Sequence, residues 1–123
     1  MKNELKEPQV LNLREDEFPK EVVPGVAFMK HMFGNQLSVA LFKIPAGKGA
    51  QFPMHYHKHG EEVCVQLKGT AHLFACGKEY VIREGEAVVV PADLEHAGIF
   101  SDEECWLLAI ATPPREDYGP EDW

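Results

Sequence analysis

Short apolar stretches separated by turn residues fill the chain from about residue 36 onward, and none has the 3.6-residue period of a capped amphipathic helix. In the stretch 37–44 every residue except Ser38 and Lys43 is apolar, so both faces of a strand there would be buried, as in a strand between two sheets. Six further strands are predicted, at 62–68, 70–76, 79–83, 86–91, 96–100 and 105–111. Many short strands at close spacing predict an all-β sandwich or barrel.

The first 25 residues have a different character. They are polar, charged and interrupted by Pro8, Pro19 and Pro24. We expect an arm outside the core, which leaves open whether it pairs with a sheet edge of this chain or of a partner subunit. The predicted organisation is an arm at 1–25, a barrel at 26–112 and a C-terminal tail at 113–123.

Composition narrows the class of protein. A chain of 123 residues forms one domain, and its formal charge of −8, with scattered Lys and Arg, argues against nucleic acid and anionic membrane surfaces as partners. No apolar run resembles a signal peptide or a membrane span. The three cysteines (Cys64, Cys76 and Cys105) are an odd number and are not spaced in pairs such as C-x-x-C, as the cysteines of many metal sites are. We therefore expect reduced thiols in a cytoplasmic protein.

Three histidines and a glutamate carry the clearest chemistry. His55 and His57 share a face of one strand because side chains two apart do so. A turn at 58–60 would bring Glu62 beside them, and His96, from a distant strand, would close the site. Three imidazoles and a carboxylate suit one divalent transition metal: iron, manganese, nickel, zinc or copper. Two histidines alone are usually unrelated to a metal, but the four residues together predict a metal site.

The same residues resemble the two sequence motifs of the cupins. The pattern G-x5-H-x-H-x4-E-x6-G is matched without a gap from Gly49 to Gly69, and G-x5-P-x-G-x2-H-x3-N is matched at Gly85, Pro91 and His96. The resemblance implies a double-stranded β-helix (jelly-roll) barrel, a single metal bound by the four residues above, and a homodimer.

Two positions depart from the second motif. Asp93 stands where the family usually has glycine, and Asp can supply a turn as glycine does. Phe100 stands where the family usually has Asn, which is not a metal ligand. We therefore expect the metal site to be unaffected.

The tail at 111–118 (Ala-Thr-Pro-Pro-Arg-Glu-Asp-Tyr) resembles that of a cupin subgroup that includes enzymes linearising unsaturated uronates and polyketide-cyclase relatives. The resemblance implies a catalytic role for Arg115. Ala109 and Ala111 stand where the uronate enzymes carry an Asp and an aromatic residue, and Glu62 stands where they often carry Gln. The alternative is structural, with Arg115 paired to acidic neighbours or the barrel rim.

Other candidates are less defined. His72 is a second candidate for catalysis, and it faces either the cavity or a subunit contact. His59 and Tyr56 flank the predicted ligands, with an exposed loop as the simpler interpretation for His59. Cys64 shares the predicted face of Glu62, either close to the metal or as a small buried side chain. His31 has no motif around it.

The leading hypothesis is a metal-dependent enzyme of isomerase, cyclase or lyase type, with the metal as Lewis acid and a small oxygenated organic molecule as substrate. An Fe(II) dioxygenase is the alternative, and a non-catalytic cupin that binds a small ligand is the second alternative. A sheet-on-sheet homodimer through the apolar strand at 37–44 and the arm is also expected.

Overall fold

The computed structural model describes residues 5–14, 20–23, 27–45, 51–55, 60–100 and 103–114, and within them it contains ten β-strands and no helix. The strands are β1 (Lys20–Val23), β2 (Ala27–Phe33), β3 (Ser38–Ile44), β4 (Gln51–His55), β5 (Glu62–Lys68), β6 (Ala71–Ala75), β7 (Lys78–Ile82), β8 (Ala87–Val90), β9 (His96–Phe100) and β10 (Cys105–Ala111). The predicted all-β fold is confirmed, and the six strands predicted between residues 62 and 111 are each present to within one residue at either end. In the part of the chain described, no helix is long and apolar enough to cross a membrane.

The strands form two antiparallel sheets. One sheet has the order β1-β2-β3-β10-β5-β8, and the other has the order β4-β9-β6-β7. In each sheet a late strand lies between two early ones: β10 between β3 and β5, and β9 between β4 and β6. This antiparallel double-sheet arrangement is that of a jelly roll, as the resemblance to the cupins implied.

The apolar core lies between the two sheets. Ala71 of β6 and Ala109 of β10 belong to one buried cluster, so the cluster spans both sheets. The register pairs Ala109 with Cys64, and paired residues of neighbouring strands share a face. The interior side of β5 therefore carries Glu62, Cys64 and Gln66, because side chains alternate along a strand.

The N-terminal residues lie against the outside of the six-stranded sheet. Asn35 exchanges hydrogen bonds with the backbone of Leu5, at 2.6 Å from Leu5 N and 2.9 Å to Leu5 O. Lys30 Nζ donates to the carbonyl oxygen of Arg14 at 2.7 Å. β1, which falls within the predicted arm, pairs with β2 at the edge of the sheet. Pairing of the arm with an edge of its own sheet is one of the possibilities that the sequence left open.

The turns at Asp93 and Gly69 use the left-handed backbone conformation. Asp93 has a φ of 58°, a conformation that glycine adopts freely and that Asp tolerates better than most residues. The prediction that Asp93 supplies the turn in place of glycine is confirmed. Gly69 has a φ of 77°, and a Cβ there would lie 2.6 Å from Cys105 Sγ, so both backbone and space require glycine.

Candidate metal centre

Two of the four predicted ligands lie at the facing ends of neighbouring strands. His55 is the last residue of β4, His96 is the first residue of β9, and the antiparallel register makes them Cα partners. Partners of this kind have Cα atoms about 4.5–5.5 Å apart. The fold thus brings together two histidines that are far apart in the sequence.

The ring of His96 is buried and held by a backbone carbonyl. Its Nδ1 lies 2.8 Å from the carbonyl oxygen of Leu94, and the residue is 6% exposed. A carbonyl oxygen can only accept, so Nδ1 carries the proton in the neutral ring and Nε2 carries the lone pair. This is the arrangement typical of a metal-binding histidine, whose second nitrogen donates to a carbonyl or carboxylate.

Glu62 places a carboxylate in the interior. It begins β5 and is 8% exposed. A carboxylate removed from water costs several kcal/mol unless hydrogen bonds or a cation compensate it. Its effect is visible on Cys64, whose thiol has its pKa raised well above the usual value, first by burial and then by the charge of Glu62 and a hydrogen bond to it.

These two residues fit a divalent metal. The buried carboxylate supplies the negative charge that a cation neutralises, and His96 offers a neutral nitrogen held in one tautomer. His57 and the side chain of His55 lie outside what the structure describes. Within the described part of the chain, no three potential ligands form a cluster. Of the four predicted ligands, only Glu62 and His96 have side chains that the structure describes, and both are suitable ligands for a divalent metal.

Gln66 adds a second polar group to the interior side of β5. The residue is fully buried, and its Nε2 donates to the carbonyl oxygen of Lys68 at 2.9 Å. Its Oε1 is buried and finds no hydrogen-bond partner among the residues described. Because Nε2 turns toward Lys68, the amide leans toward the end of β5 that is away from Glu62.

The predicted catalytic residue His72 lies on the outside of the barrel. His72 pairs across the sheet with Val81, while its neighbour Ala71 faces the core, so His72 points to the outside of the barrel. There Nδ1 lies 2.6 Å from Glu79 Oε2, and the His72 side chain is 35% exposed. Arg115 lies outside the described residues. Their catalytic roles stay predictions.

The start of the tail is hydrogen-bonded to the segment that precedes Glu62. Thr112 N donates to the carbonyl oxygen of Glu61 at 3.0 Å, and a Cβ on Gly60 would overlap the Thr112 carbonyl oxygen. The end of β10 therefore packs directly against the chain that precedes Glu62. Ala109 and Ala111, the two positions where the uronate pattern differs, are almost fully buried.

His31 is an interior histidine that sequence reasoning missed. It pairs with Ala40, which belongs to the core cluster, so it lies on the interior side of β2. Its ring meets that of Phe33 edge to face, with centroids 5.0 Å apart and an interplanar angle of 76°. The strand Ala27–Phe33 carries apolar residues on both faces, so the sequence pattern does not indicate whether His31 faces the interior or the outside.

The comparisons with known proteins agree with this fold. The family described as "Cupin domain" matches residues 41–111, more than half of the chain. The chain belongs to the cupin family. The matched segment contains all four predicted metal ligands and both motifs.

Two curated relatives share part of this cupin. The chain is 37% identical over 68 residues to the L-ectoine synthase of Teredinibacter turnerae, a match that covers 54% of this chain and 51% of the relative. It is 30% identical over 95 residues to the quercetin 2,3-dioxygenase of Bacillus subtilis, a match that covers 64% of this chain and 28% of the relative. The chain thus spans about half the length of the first relative and less than a third of the second.

Solved cupin structures share the fold over most of the chain. KdgF from Halomonas sp. superposes with a TM-score of 0.79 at 19% identity, covering 90% of this chain and 98% of KdgF. An RmlC-like cupin from Shewanella frigidimarina superposes with a TM-score of 0.71 at 21% identity, covering 85% and 92% respectively. At these identities the likeness shows the fold alone.

Proposed function

We propose that this cupin is a metal-dependent enzyme acting on a small oxygenated organic molecule, with one divalent transition metal held by His55, His57, Glu62 and His96. The observation that carries the proposal is the buried Glu62 carboxylate combined with His96, whose ring is held with Nε2 as the acceptor. A buried carboxylate and an imidazole fixed in one tautomer are donors that suit a divalent transition metal.

The reaction class that we favour is isomerase, cyclase or lyase chemistry. When bound, the metal supplies Lewis-acid polarisation of a carbonyl or hydroxyl oxygen. The chain's own residues orient the site: Leu94 fixes the ring of His96, and Glu62 supplies the negative charge. Burial and the nearby carboxylate raise the pKa of the Cys64 thiol, which favours the neutral thiol over the nucleophilic thiolate.

A dioxygenase reaction is the second candidate. One partial relative is named a quercetin 2,3-dioxygenase and the other an ectoine synthase, so the two relatives fall in different reaction classes. An iron-containing protein that consumes oxygen only in the presence of a substrate such as a catechol or a diketone would favour the dioxygenase. A redox-inert metal with no oxygen uptake would favour the non-redox class.

The experiment that tests the metal site is elemental analysis of protein purified without added metal or nickel affinity resin. The native chain is compared with Glu62→Gln and His96→Ala, and His72→Ala serves as the control because His72 lies on the outside of the barrel. We expect near-stoichiometric metal in the native protein and the control, and loss of the metal in the two interior variants.

Two outcomes would contradict the proposal. A native protein that binds no metal, even after reconstitution with Fe²⁺ (under anaerobic conditions), Mn²⁺, Ni²⁺, Zn²⁺ and Cu²⁺, would leave a non-catalytic ligand-binding cupin. Equal metal content in native protein, Glu62→Gln and His96→Ala would place the metal elsewhere. No disulfide joins Cys64, Cys76 and Cys105, all three of which the structure describes, and this supports a reducing compartment such as the cytoplasm.

A further inference from the structure

One row of paired residues crosses the four-stranded sheet at the end where two candidate metal ligands lie. Along the row, each residue is the Cα partner of the next: His55 of β4, His96 of β9, Ala75 of β6 and Lys78 of β7. Paired residues of neighbouring strands share a face, and Ala75 is buried in the core. Lys78 therefore stands on the interior side of β7, and only the methyl group of Ala75 lies on the strand between it and His96.

The ammonium group of Lys78 is within reach of the space beside His96. Paired residues of antiparallel strands have Cα atoms about 4.5–5.5 Å apart, so the Cα atoms of Lys78 and His96 are about 9–11 Å apart. A lysine carries its ammonium on a flexible four-carbon stem. The small side chain of Ala75 leaves room for that stem on the interior side of the sheet.

The interior side of β7 becomes more exposed along the strand toward Lys78. Ile82 pairs with Ala71 of the core cluster, so it faces the interior, and it is 7% exposed. Tyr80, two residues away on the same side, is 41% exposed, and Lys78 is exposed as well. The space between the sheets is thus closed around Ile82 and open beside Lys78, at the end of the sheet where His96 lies.

Charge favours an anion at this opening, although the chain as a whole has a formal charge of −8. A divalent metal with Glu62 as its one carboxylate ligand keeps a positive charge, and Lys78 adds another. Within the part of the chain that the structure describes, Lys78 forms no ion pair, whereas Lys68 is paired with Glu104 at 3.0 Å. The ammonium of Lys78 is therefore available to a ligand.

We propose that Lys78 is a specificity-determining residue that binds a carboxylate of the substrate, so that the substrate is a small carboxylic acid. The inference rests on the proposed function and narrows its substrate class. A single ammonium matches the single charge of a carboxylate, whereas a phosphate monoester carries a charge of about −1.5 to −2 at neutral pH. Lys78 lies between the two cupin motifs and belongs to neither.

The first experiment measures the binding of two matched probes to the Co²⁺-loaded protein. Succinic acid monohydroxamate and butyrohydroxamic acid both chelate the metal through the hydroxamate, and only the first carries a carboxylate at its other end. Dissociation constants are obtained from the visible spectrum of the cobalt for the native protein, Lys78→Met and Lys78→Arg. Lys68→Met is the matched control, because it removes the same charge from the end of β5 opposite Glu62.

We expect Lys78→Met to bind the carboxylate probe about tenfold more weakly, because a hydrogen bond between charged groups is lost. Its affinity for the neutral probe should equal that of the native protein. Lys78→Arg keeps the charge and should keep the preference for the carboxylate probe, and Lys68→Met should match the native protein with both probes. Unchanged binding of the carboxylate probe by Lys78→Met, or equal weakening of both probes, would overturn the proposal.

The second experiment locates Lys78 without any organic ligand. The lysines are dimethylated with isotopically labelled formaldehyde, a change that keeps their charge. The methyl resonance of Lys78 is assigned by its absence from Lys78→Met. Between the Zn²⁺-loaded and the Co²⁺-loaded protein, we expect this resonance to shift and broaden more than that of Lys68. A smaller effect on Lys78 than on Lys68 would overturn the proposal.

The remaining outcomes separate this role from the proposed function. Native protein that binds no metal would overturn the proposed function and, with it, this role of Lys78. Native protein that binds Co²⁺ and both probes, with the same preference in folded Lys78→Met, would overturn only the role of Lys78. Thermal unfolding of each variant shows whether it is folded.

Discussion

At the scale of single residues, the interior side of β5 combines a carboxylate, a thiol and an amide. The charge of Glu62 contributes to the raised pKa of the Cys64 thiol, whereas the amide of Gln66 donates to the carbonyl oxygen of Lys68, toward the other end of the strand. Glu62 is a predicted ligand of the candidate metal centre, and Gln66 is better explained as a polar group that the core tolerates.

The first prediction concerns Gln66→Met. Leaving an acceptor buried without a partner costs about 1–3 kcal/mol, and the Nε2 bond to Lys68 contributes about 1 kcal/mol. Replacement by the similarly sized Met removes both, so the free energy of unfolding in urea should stay unchanged or rise by up to about 2 kcal/mol. Gln66→Glu is the comparison and should be strongly destabilised by its buried charge. A marked loss of stability in Gln66→Met would mean that Oε1 has a partner.

The second prediction concerns the pH dependence contributed by Glu104. Its pKa is lowered, chiefly by the hydrogen bond from Lys68 at 3.0 Å and further by that from Trp106 Nε1 at 2.8 Å. A carboxyl whose pKa is lower in the folded state than its unfolded value of about 4.3 stabilises the fold above that value. The contribution is lost as the pH falls through the folded-state pKa.

The test compares Glu104→Gln with the native protein by thermal unfolding between about pH 2 and 7. The variant should be less stable near neutral pH by a few tenths to about 1 kcal/mol, because the pair with Lys68 is partly exposed and screened by solvent. The difference should disappear at the acid end. Glu84→Gln, an exposed turn variant, serves as the control. A constant difference across the whole range would contradict the ionic origin of the effect.

At the scale of strands and turns, sequence patterning predicted what local rules determine. Strands 62–68, 96–100 and 105–111 were recognised because turn residues bound their apolar runs, and Asp93 was recognised as a turn former. β1 was not predicted, because a short strand at the edge of a sheet can form without the alternation of apolar and polar residues by which strands are recognised in a sequence. The pairing of β9 with β4, which brings His96 to His55, depends on contacts distant in sequence and came only through the family resemblance.

The same limit applies to the candidate site. The four candidate ligands could be named from the sequence because their spacing is local to two short motifs, and their role as ligands stays a prediction. The inward direction of His31 and the outward direction of His72 could not, because both follow from which neighbour each strand pairs with. The contact between Thr112 and the chain before Glu62 is likewise set by tertiary packing.

The third prediction tests this contact with Gly60→Ala. A Cβ at Gly60 would overlap the Thr112 carbonyl oxygen, so the chain that enters β5 has to move. We expect a loss of about 1–3 kcal/mol in stability, together with weaker metal binding because Glu62 is displaced. Gly77→Ala is the control: its φ of 70° makes alanine cost about 1–2 kcal/mol, but nothing lies within 4 Å of the new Cβ. The control should lose stability and keep its metal affinity. Equal metal affinity in both variants would contradict the coupling.

At the scale of the whole molecule, the outside of the six-stranded sheet carries an apolar surface between β3 and β8. Its members share the face opposite the core: Val63, Val65, Val89, Leu108 and Ile110. Val89 is 57% exposed, whereas Leu41, on the same side of β3, is fully buried. Apolar surface on this face therefore lies on β5, β8 and β10, whereas the dimer contact was expected at the strand 37–44 and the arm.

We propose that this surface forms the two-fold contact of a homodimer, and the fourth prediction tests it. Val89→Lys would place a charge in the contact and add a desolvation cost, so it should convert the dimer to a monomer in sedimentation equilibrium. Val81→Lys is the matched control, since Val81 is also an exposed valine but lies on β7 of the other sheet. Because each chain carries a formal charge of −8, added salt should strengthen the native dimer by screening repulsion. A native protein that sediments as a monomer, or a Val89→Lys variant that remains a dimer, would place any subunit contact elsewhere.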